Sequence, residues 1–202
     1  MLIPWRPGPH RTQHYRLIRD HLSGLGWPIF AADAGGTPFS VAQSFNLAAA
    51  EAGKWDVAVL HDADCWVELE SIVAAVEAAG PLTYAWDRLV SLTESATVRF
   101  HNGVRDFADG DAYRVRPPGR LPPGGPRVVT RDLWEKTGGF DPRFKGWGYE
   151  DNAFRHACKQ VAGPTRRVEG VLYQLWHPRN PADPYFARKA KNRSLYRSIK
   201  HG

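Results

Sequence analysis

At 202 residues the chain is long enough for one sizeable α/β domain with a real core, and too short for two. Hydrophobic residues at 43% and charged residues at 24% are ordinary globular values and exclude global disorder. The net charge of +6 is local: from Arg179 onward Arg179, Arg188, Lys189, Lys191, Arg193, Arg197 and Lys200 face one acid, Asp183. That segment suits an anionic partner such as a membrane surface, a nucleic acid or a phosphorylated substrate, and it also reads as a solvated amphipathic helix. Cys65 and Cys158 lie far apart with no CxxC spacing, which argues against a disulfide scaffold or a cysteine zinc site. The opening "MLIPWRPGPH" has no apolar h-region, and no apolar run approaches the roughly 18 residues of a membrane span. The expected location is therefore the cytoplasm, peripheral to a membrane if the basic tail finds one.

The chain opens on "LIPW", a short apolar strand broken by Pro7-Gly8-Pro9. Residues 11–22 place Tyr15, Ile18 and Leu22 at near-helical spacing and stop at Gly24 and Gly26. "WPIFAAD" reads as a second strand ending in Asp33, followed by a turn at Gly35-Gly36. Thr37-Pro38 predicts a helix start, with Thr as N-cap and Pro at the first helical position. Val41, Phe45 and Ala48 form that helix's inner stripe, and Gly53 ends it.

"DVAVLHDAD" then has the near-continuous apolar pattern of a buried parallel strand. Leu69, Ile72, Val73 and Val76 define the clearest helix, closed by Gly80-Pro81, and "LTYAW" supplies a fourth strand. This alternation predicts a mostly parallel, doubly wound (Rossmann-like) α/β sheet with a less regular C-terminal half. Residues 99–127, with "RPPGRLPPGGPR", read as one long loop, and 110–126 as a lid over a ligand. "VVTRDLWEKTGGF" predicts a strand feeding a short helix, 150–161 a helix, "VEGVLYQLW" a strand, and 184–200 a helical tail.

Ligands of open α/β sheets bind beyond the carboxyl ends of the strands, where Asp62 and Asp64 lie. In extended backbone, residues i and i+2 face one side, so both carboxylates are expected at one site, where a divalent cation would offset their repulsion. Alone, Asp-x-Asp is as well explained by a turn. Two further constellations shift that balance. In "GGFDPRFKGWGYEDNAFRHAC" the glycine-bracketed Trp147 can stack on a sugar face, and one of Glu150 and Asp151 can take a hydroxyl proton. Both acids also simply suit a helix N-terminus. "LYQLWHP" sets His177 just after a strand, as a candidate third ligand or a structural histidine.

"LHDAD", "GGFDPRFKGWGYEDNAF" and "WHP", in that order and spacing, resemble the GT-A-fold glycosyltransferases of the family 2 type. The likeness is greatest to the group with a galactosyltransferase-like C-terminal motif, and it runs from "IPWR" to about His177. It implies one GT-A domain over 1–178, with a nucleotide-sugar half (1–97), an acceptor and catalytic half (98–178), and a basic helical tail (179–202). It further implies that Pro4, Trp5 and Arg6 meet the nucleotide, that Asp33 reads the base or ribose, and that Asp62 lies near the ribose. Asp64 would be the main metal ligand and His177 the C-terminal one. Gly125 and its neighbour Gly124 would make backbone contacts to the sugars. Trp147, Gly148 and Glu150 would contact donor or acceptor sugar, and Asp151 would be the catalytic base.

The activity implied is transfer of a sugar from a nucleotide diphosphate sugar, most simply a UDP-sugar, to an acceptor hydroxyl. A carboxylate–imidazole pair favours Mn²⁺ over Mg²⁺. Retaining relatives carry Asn where this chain has Asp151, which implies inversion. Two departures stand out: the helix around 40–52 has Gln43 and Asn46 where a basic residue is common, and Tyr149 replaces a frequent Gly. The competing classes are a nucleotidyltransferase on a similar sheet, which would release pyrophosphate, and a non-catalytic module binding a nucleotide-sugar or an anionic partner. Oligomeric state is not legible.

Overall fold

In a computed structural model that describes residues 1–178 and 183–201, ten strands and eight α-helices form two sheets around one core. The first sheet takes β1 (Leu2–Pro4), β2 (Phe30–Ala32), β3 (Val57–Leu60), β5 (Thr83–Tyr84), β8 (Arg127–Thr130) and β9 (Arg166–Arg167) in the order β2-β1-β3-β8-β5-β9. β1 pairs parallel with both β2 and β3, and β5 with β9, while β8 runs antiparallel to β3 and β5. The sheet is therefore mostly parallel, as expected, with one reversed strand. Its chain order reverses at β1, so a crevice opens between the carboxyl ends of β1 and β3. The reversal of β8 has a second consequence. Leu60 at the end of β3 faces Arg127 at the start of β8, so the glycines preceding Arg127 arrive beside Asp62.

Helices α1 (Pro9–Ser23), α2 (Val41–Glu51) and α3 (Leu69–Glu77) flank this sheet and bury Ile18, Leu22, Phe45, Ala48 and Ile72. α2 begins later than the sequence suggests. Its N-cap is Ser40, whose hydroxyl accepts the Gln43 N–H at 3.2 Å, and Thr37-Pro38 precedes the helix as a cis peptide. Thr37 therefore lies outside the helix and cannot reach its first free N–H groups.

The second sheet, β4-β10-β6-β7, was not anticipated. β4 (Cys65–Trp66) and β6 (Arg88–Leu92) flank β10 (Val171–Gln174), and β7 (Ala112–Arg116) forms the outer edge against β6. Residues 99–127 are thus not one loop, and the expected lid is shorter. α4 (Glu94–His101) runs into the segment, β7 interrupts it, and the Pro/Gly-rich stretch proper is 117–126. The backbone hydrogen bonds of β7 are satisfied by β6 while Tyr113, Arg114 and Val115 stay exposed, so no burial alternation marked it in the sequence.

α5 (Arg131–Thr137) follows β8, and α6 (Glu150–Ala162) follows the GWGY loop. The expected helical tail is two helices, α7 (Pro184–Ala187) and α8 (Lys189–His201); Arg179 lies outside the described residues. α8 turns Leu195, Tyr196 and Ile199 onto the core, and its buried Asn192 donates to the carbonyls of Lys145 and Trp147 at 3.0 and 3.3 Å. Among the described residues no helix is long and apolar enough to cross a membrane.

Candidate active site

Pro4, Asp33 and Asp62 stand at or just past the carboxyl ends of β1, β2 and β3, which are parallel, so their side chains reach one edge of the sheet. Beyond β1, Arg6 donates from Nε and Nη2 to both oxygens of Asp33 at 2.6 and 2.7 Å, and from Nη1 to the Gly36 carbonyl at 2.8 Å. The bidentate pair holds the Asp33 carboxyl below the usual carboxylate range. These two predicted nucleotide residues thus meet each other. Trp5 stacks on Tyr15 at 4.3 Å, and its buried Nε1–H finds no acceptor among the described residues.

The Asp-x-Asp stretch differs from expectation. β3 ends at Leu60, and the Cys65 N–H bonds back to the Asp62 carbonyl at 3.2 Å, so the motif is a turn. Because the backbone is not extended there, Asp62 and Asp64 serve different partners. Asp62 Oδ2 accepts the Gly125 N–H at 2.8 Å. Asp64 Oδ2 faces His177 Nε2 at 3.5 Å, with both side chains partly open to solvent. The Leu175 N–H bonds to the Asp64 carbonyl at 2.8 Å, which carries the "WHP" segment from the end of β10 to that carboxylate.

Underneath, His61 is fully buried, and its Nδ1 lies 2.9 Å from the Asp62 carbonyl. Burial lowers its pKa to about 4, so it is neutral at physiological pH. Cys65 and Cys158 are both free and buried.

At the centre lies a residue that sequence reasoning missed. Arg127 has a fully buried side chain and donates from Nη2 to Asp151 Oδ1 at 2.5 Å and from Nη1 to the Gly125 carbonyl at 2.8 Å. Burial opposes its charge, but Asp151 and Asp62 outweigh that and raise its pKa. The available signal was a lone charge between the apolar Pro126 and Val128-Val129, at the end of the segment expected to be a loop. Such a charge has to be paired.

The result is a closed chain of contacts: Asp151 to Arg127, Arg127 to the Gly125 carbonyl, and the Gly125 N–H to Asp62. Gly124 fits between the acids. A Cβ there would stand 2.6 Å from Asp151 Oδ2 and 3.8 Å from Asp62 Oδ2. Gly125 has a φ of +86°, and a Cβ would come within 2.8 Å of Leu172 and 2.9 Å of Trp86 Nε1. Gly125→Ala is accordingly expected to cost about 2 kcal/mol or more of stability, from backbone strain and overpacking together, read by urea denaturation. A wild-type midpoint would disprove the tight bend.

The GWGY loop brings up the acids of α6. Gly146 and Gly148 adopt φ of 70° and 100°, and Tyr149 lies in the left-handed region at 72°, where a non-glycine residue is strained. The Gly146 N–H bonds to Phe39 and the Trp147 N–H to Tyr185, and the Tyr149 ring packs on Tyr196 at 5.8 Å. Tyr149, which stands where a Gly is frequent in the family the chain resembles, therefore stacks on α8.

Glu150 is buried, and its Oε2 has no hydrogen-bond partner among the described residues. Burial first, then the neighbouring Asp151, raises its pKa to about 8. Asp62 is raised to about 7, by burial and then by Asp151. Both shifts stabilise the fold at low pH. The stabilisation is fully present below the unfolded value near 4.5 for Glu150 and is lost as pH rises through about 8. Glu150→Gln is expected to melt above wild type at pH 8 by roughly 3 °C, a gap that closes near pH 4. A constant gap would show that ionisation of Glu150 is not its cause.

The donor set at Asp64 and His177 fits a divalent cation: one carboxylate and one imidazole converge, and among the described residues no Lys or Arg pairs with Asp64. No group of three or more His, Cys, Asp or Glu converges on a metal position among the described residues. Such a cation would therefore draw its other ligands from substrate and water, as phosphate-bound metals commonly do.

Comparison with solved structures places this fold. The catalytic domain of Drosophila β1,4-galactosyltransferase 7, in complex with xylobiose, matches with a TM-score of 0.60 at 16% identity, covering 100% of this chain and 79% of that one. The fold is that of the GT-A glycosyltransferases. A mutant of the same Drosophila enzyme, in complex with manganese, UDP-Gal and xylobiose, matches at 0.53 and 15% identity, covering 88% of this chain and 70% of that one. GalNAc-T7, with UDP, GalNAc and Mn²⁺, matches at 0.55 and 14% identity, covering 98% of this chain and 40% of that one. A family model described as the N-terminal domain of galactosyltransferase matches residues 109–179, the stretch that holds Gly125, Arg127, Trp147, Glu150, Asp151 and His177. No curated protein matches the sequence.

Proposed function

We propose that the protein is a metal-dependent, inverting glycosyltransferase that moves a hexose from a UDP-sugar to an acceptor hydroxyl. The observation that carries the reading is the convergence, at one edge of a GT-A sheet, of two separate acid centres. Asp64 with His177 lies on one side, and Asp151, fixed by Arg127 and Gly124, on the other. The first is a site for a cation and a diphosphate, the second for a base facing a different reactant. The galactosyltransferase family match over 109–179 supports the same assignment. So does the motif order that resembles the family 2 type with a galactosyltransferase-like C-terminal block.

Mn²⁺ bound by Asp64 and His177 would supply Lewis-acid stabilisation of the charge on the departing diphosphate. The protein's own groups do the rest. Asp33, held by Arg6, and Trp5, with its open indole N–H, line the nucleotide end beyond Pro4, and Asp62 holds the ribose. Asp151 takes the proton of the acceptor hydroxyl as its oxygen bonds to the anomeric carbon and the carbon–phosphate oxygen bond breaks, releasing UDP. Attack from the side opposite the leaving group inverts the anomeric centre. Glu150, protonated at neutral pH, can donate a hydrogen bond to a sugar oxygen, while Trp147, Gly148 and Gly125 shape the sugar site. Diphosphate neutralisation without a basic residue on α2 falls to the cation and Arg6.

A panel of UDP- and GDP-sugars assayed for Mn²⁺-dependent hydrolysis tests this reading. One UDP-sugar is expected to release UDP faster than the others. Release of pyrophosphate instead would identify nucleotidyl transfer, and no turnover or binding of any donor would leave a non-catalytic module.

A further inference from the structure

Four of the five Lys and Arg residues of α8 share one side of the helix, and the fifth, Lys191, lies on the opposite side. At about 100° per residue, Lys189, Arg193, Arg197 and Lys200 fall within an arc of roughly 80° and form one row about 16 Å long. The line that packs on the core, through Asn192, Leu195, Tyr196 and Ile199, lies roughly a quarter turn away. The row starts at the candidate site, because Lys189 Nζ stands 4.8 Å over the Trp147 ring. None of the four cations has an ion-pair partner among the described residues. α6, packed beside α8, adds Arg155 and Lys159 and contains no acid after Asp151.

From this geometry we propose that the acceptor is an anionic glycan whose terminal sugar lies at Trp147 and whose preceding acidic groups follow the α8 row. The proposal rests on the glycosyltransferase reading and names the substrate class for it. Successive cations about 6 Å apart along the helix match a chain with repeating charges. A flat membrane would meet the helix on its outermost line, where Ala190, Ser194 and His201 lie and Arg197 is the one nearby member of the row. No exposed apolar side chain on that line could insert into lipid. Single-stranded nucleic acid is held by aromatic rings along the strand as well as by charge, and among the described residues the rings beside the row are Trp147 at its start and Tyr196, which is already stacked on Tyr149.

The test is calorimetric titration of the full chain, in EDTA, with tetragalacturonate, a heparin tetrasaccharide and neutral cellotetraose. At least one of the two anionic probes is expected to bind more tightly than cellotetraose, losing roughly 20-fold in affinity between 50 and 200 mM salt as counterion release from some three contacts requires. The variant carrying Arg193→Glu, Arg197→Glu and Lys200→Glu is expected to lose at least about tenfold for that probe while its melting temperature stays near wild type. Equal binding of cellotetraose, an unaffected triple variant, or no binding of either anionic probe would overturn the proposal. So would tighter binding of a single-stranded dodecanucleotide or of phosphatidylglycerol vesicles. Mn²⁺-dependent UDP binding, measured on the same samples, separates the two readings. UDP bound without any anionic glycan sinks this inference alone, and glycan bound without UDP sinks the transferase reading alone.

Discussion

Asp151→Asn is expected to lower the sugar-transfer rate at least roughly 100-fold while leaving metal-dependent UDP binding intact. The asparagine keeps an oxygen to accept from Arg127 Nη2 but cannot hold the hydroxyl proton. Donor binding is expected to survive, because Asp64 and His177 are reached through β3 and β10 and not through α6. Arg127 would lose its nearest counter-charge, so some stability goes too, less than the roughly 3–5 kcal/mol seen when a buried pair loses one partner outright. The two effects are read apart by single-turnover kinetics and urea denaturation. A rate within a few-fold of wild type would remove Asp151 from the role of base.

The second large effect is expected at Arg127. Arg127→Met fills much the same volume and leaves Asp62, Glu150 and Asp151 crowded together without a buried cation. The loss expected is about 3–5 kcal/mol of stability, greater at pH 8 than at pH 5, because more of the three carboxyls carry charge at the higher pH. Transfer is expected to fall as well, since Arg127 orders Asp151 and the Gly124-Gly125 bend. Denaturation midpoints at the two pH values check this. A midpoint equal to wild type at both would mean that the ion pair contributes little.

The N-terminal half was largely legible from its residues. Ile18, Leu22, Phe45 and Ile72 fall where helical periodicity put them, and the apolar run before His61 is a central strand. The second sheet was not legible, for physical reasons. β4 is two residues long, β6 and β10 are parallel partners far apart in sequence, and β7 exposes three successive side chains. None carries a period of two long enough to read. The Pro/Gly stretch beyond β7 then drew the whole of 99–127 into one loop.

At the site, the sequence singled out acids that the fold brings to one edge of the sheet, but not how they group. Asp62 and Asp64 look like a pair in the chain. A turn separates them, so Asp62 joins Gly125 while Asp64 joins His177. Arg127, which joins Asp151 to Gly125, closed the segment read as a loop, so its burial was not foreseen.

The most direct measurement is calorimetry of UDP binding with and without Mn²⁺, on wild type and Asp64→Ala. UDP is expected to bind wild type only with the metal, and Asp64→Ala is expected to bind it under neither condition while melting near wild type. Metal-independent UDP binding, or metal-dependent binding that survives Asp64→Ala, would contradict a cation site at Asp64 and His177.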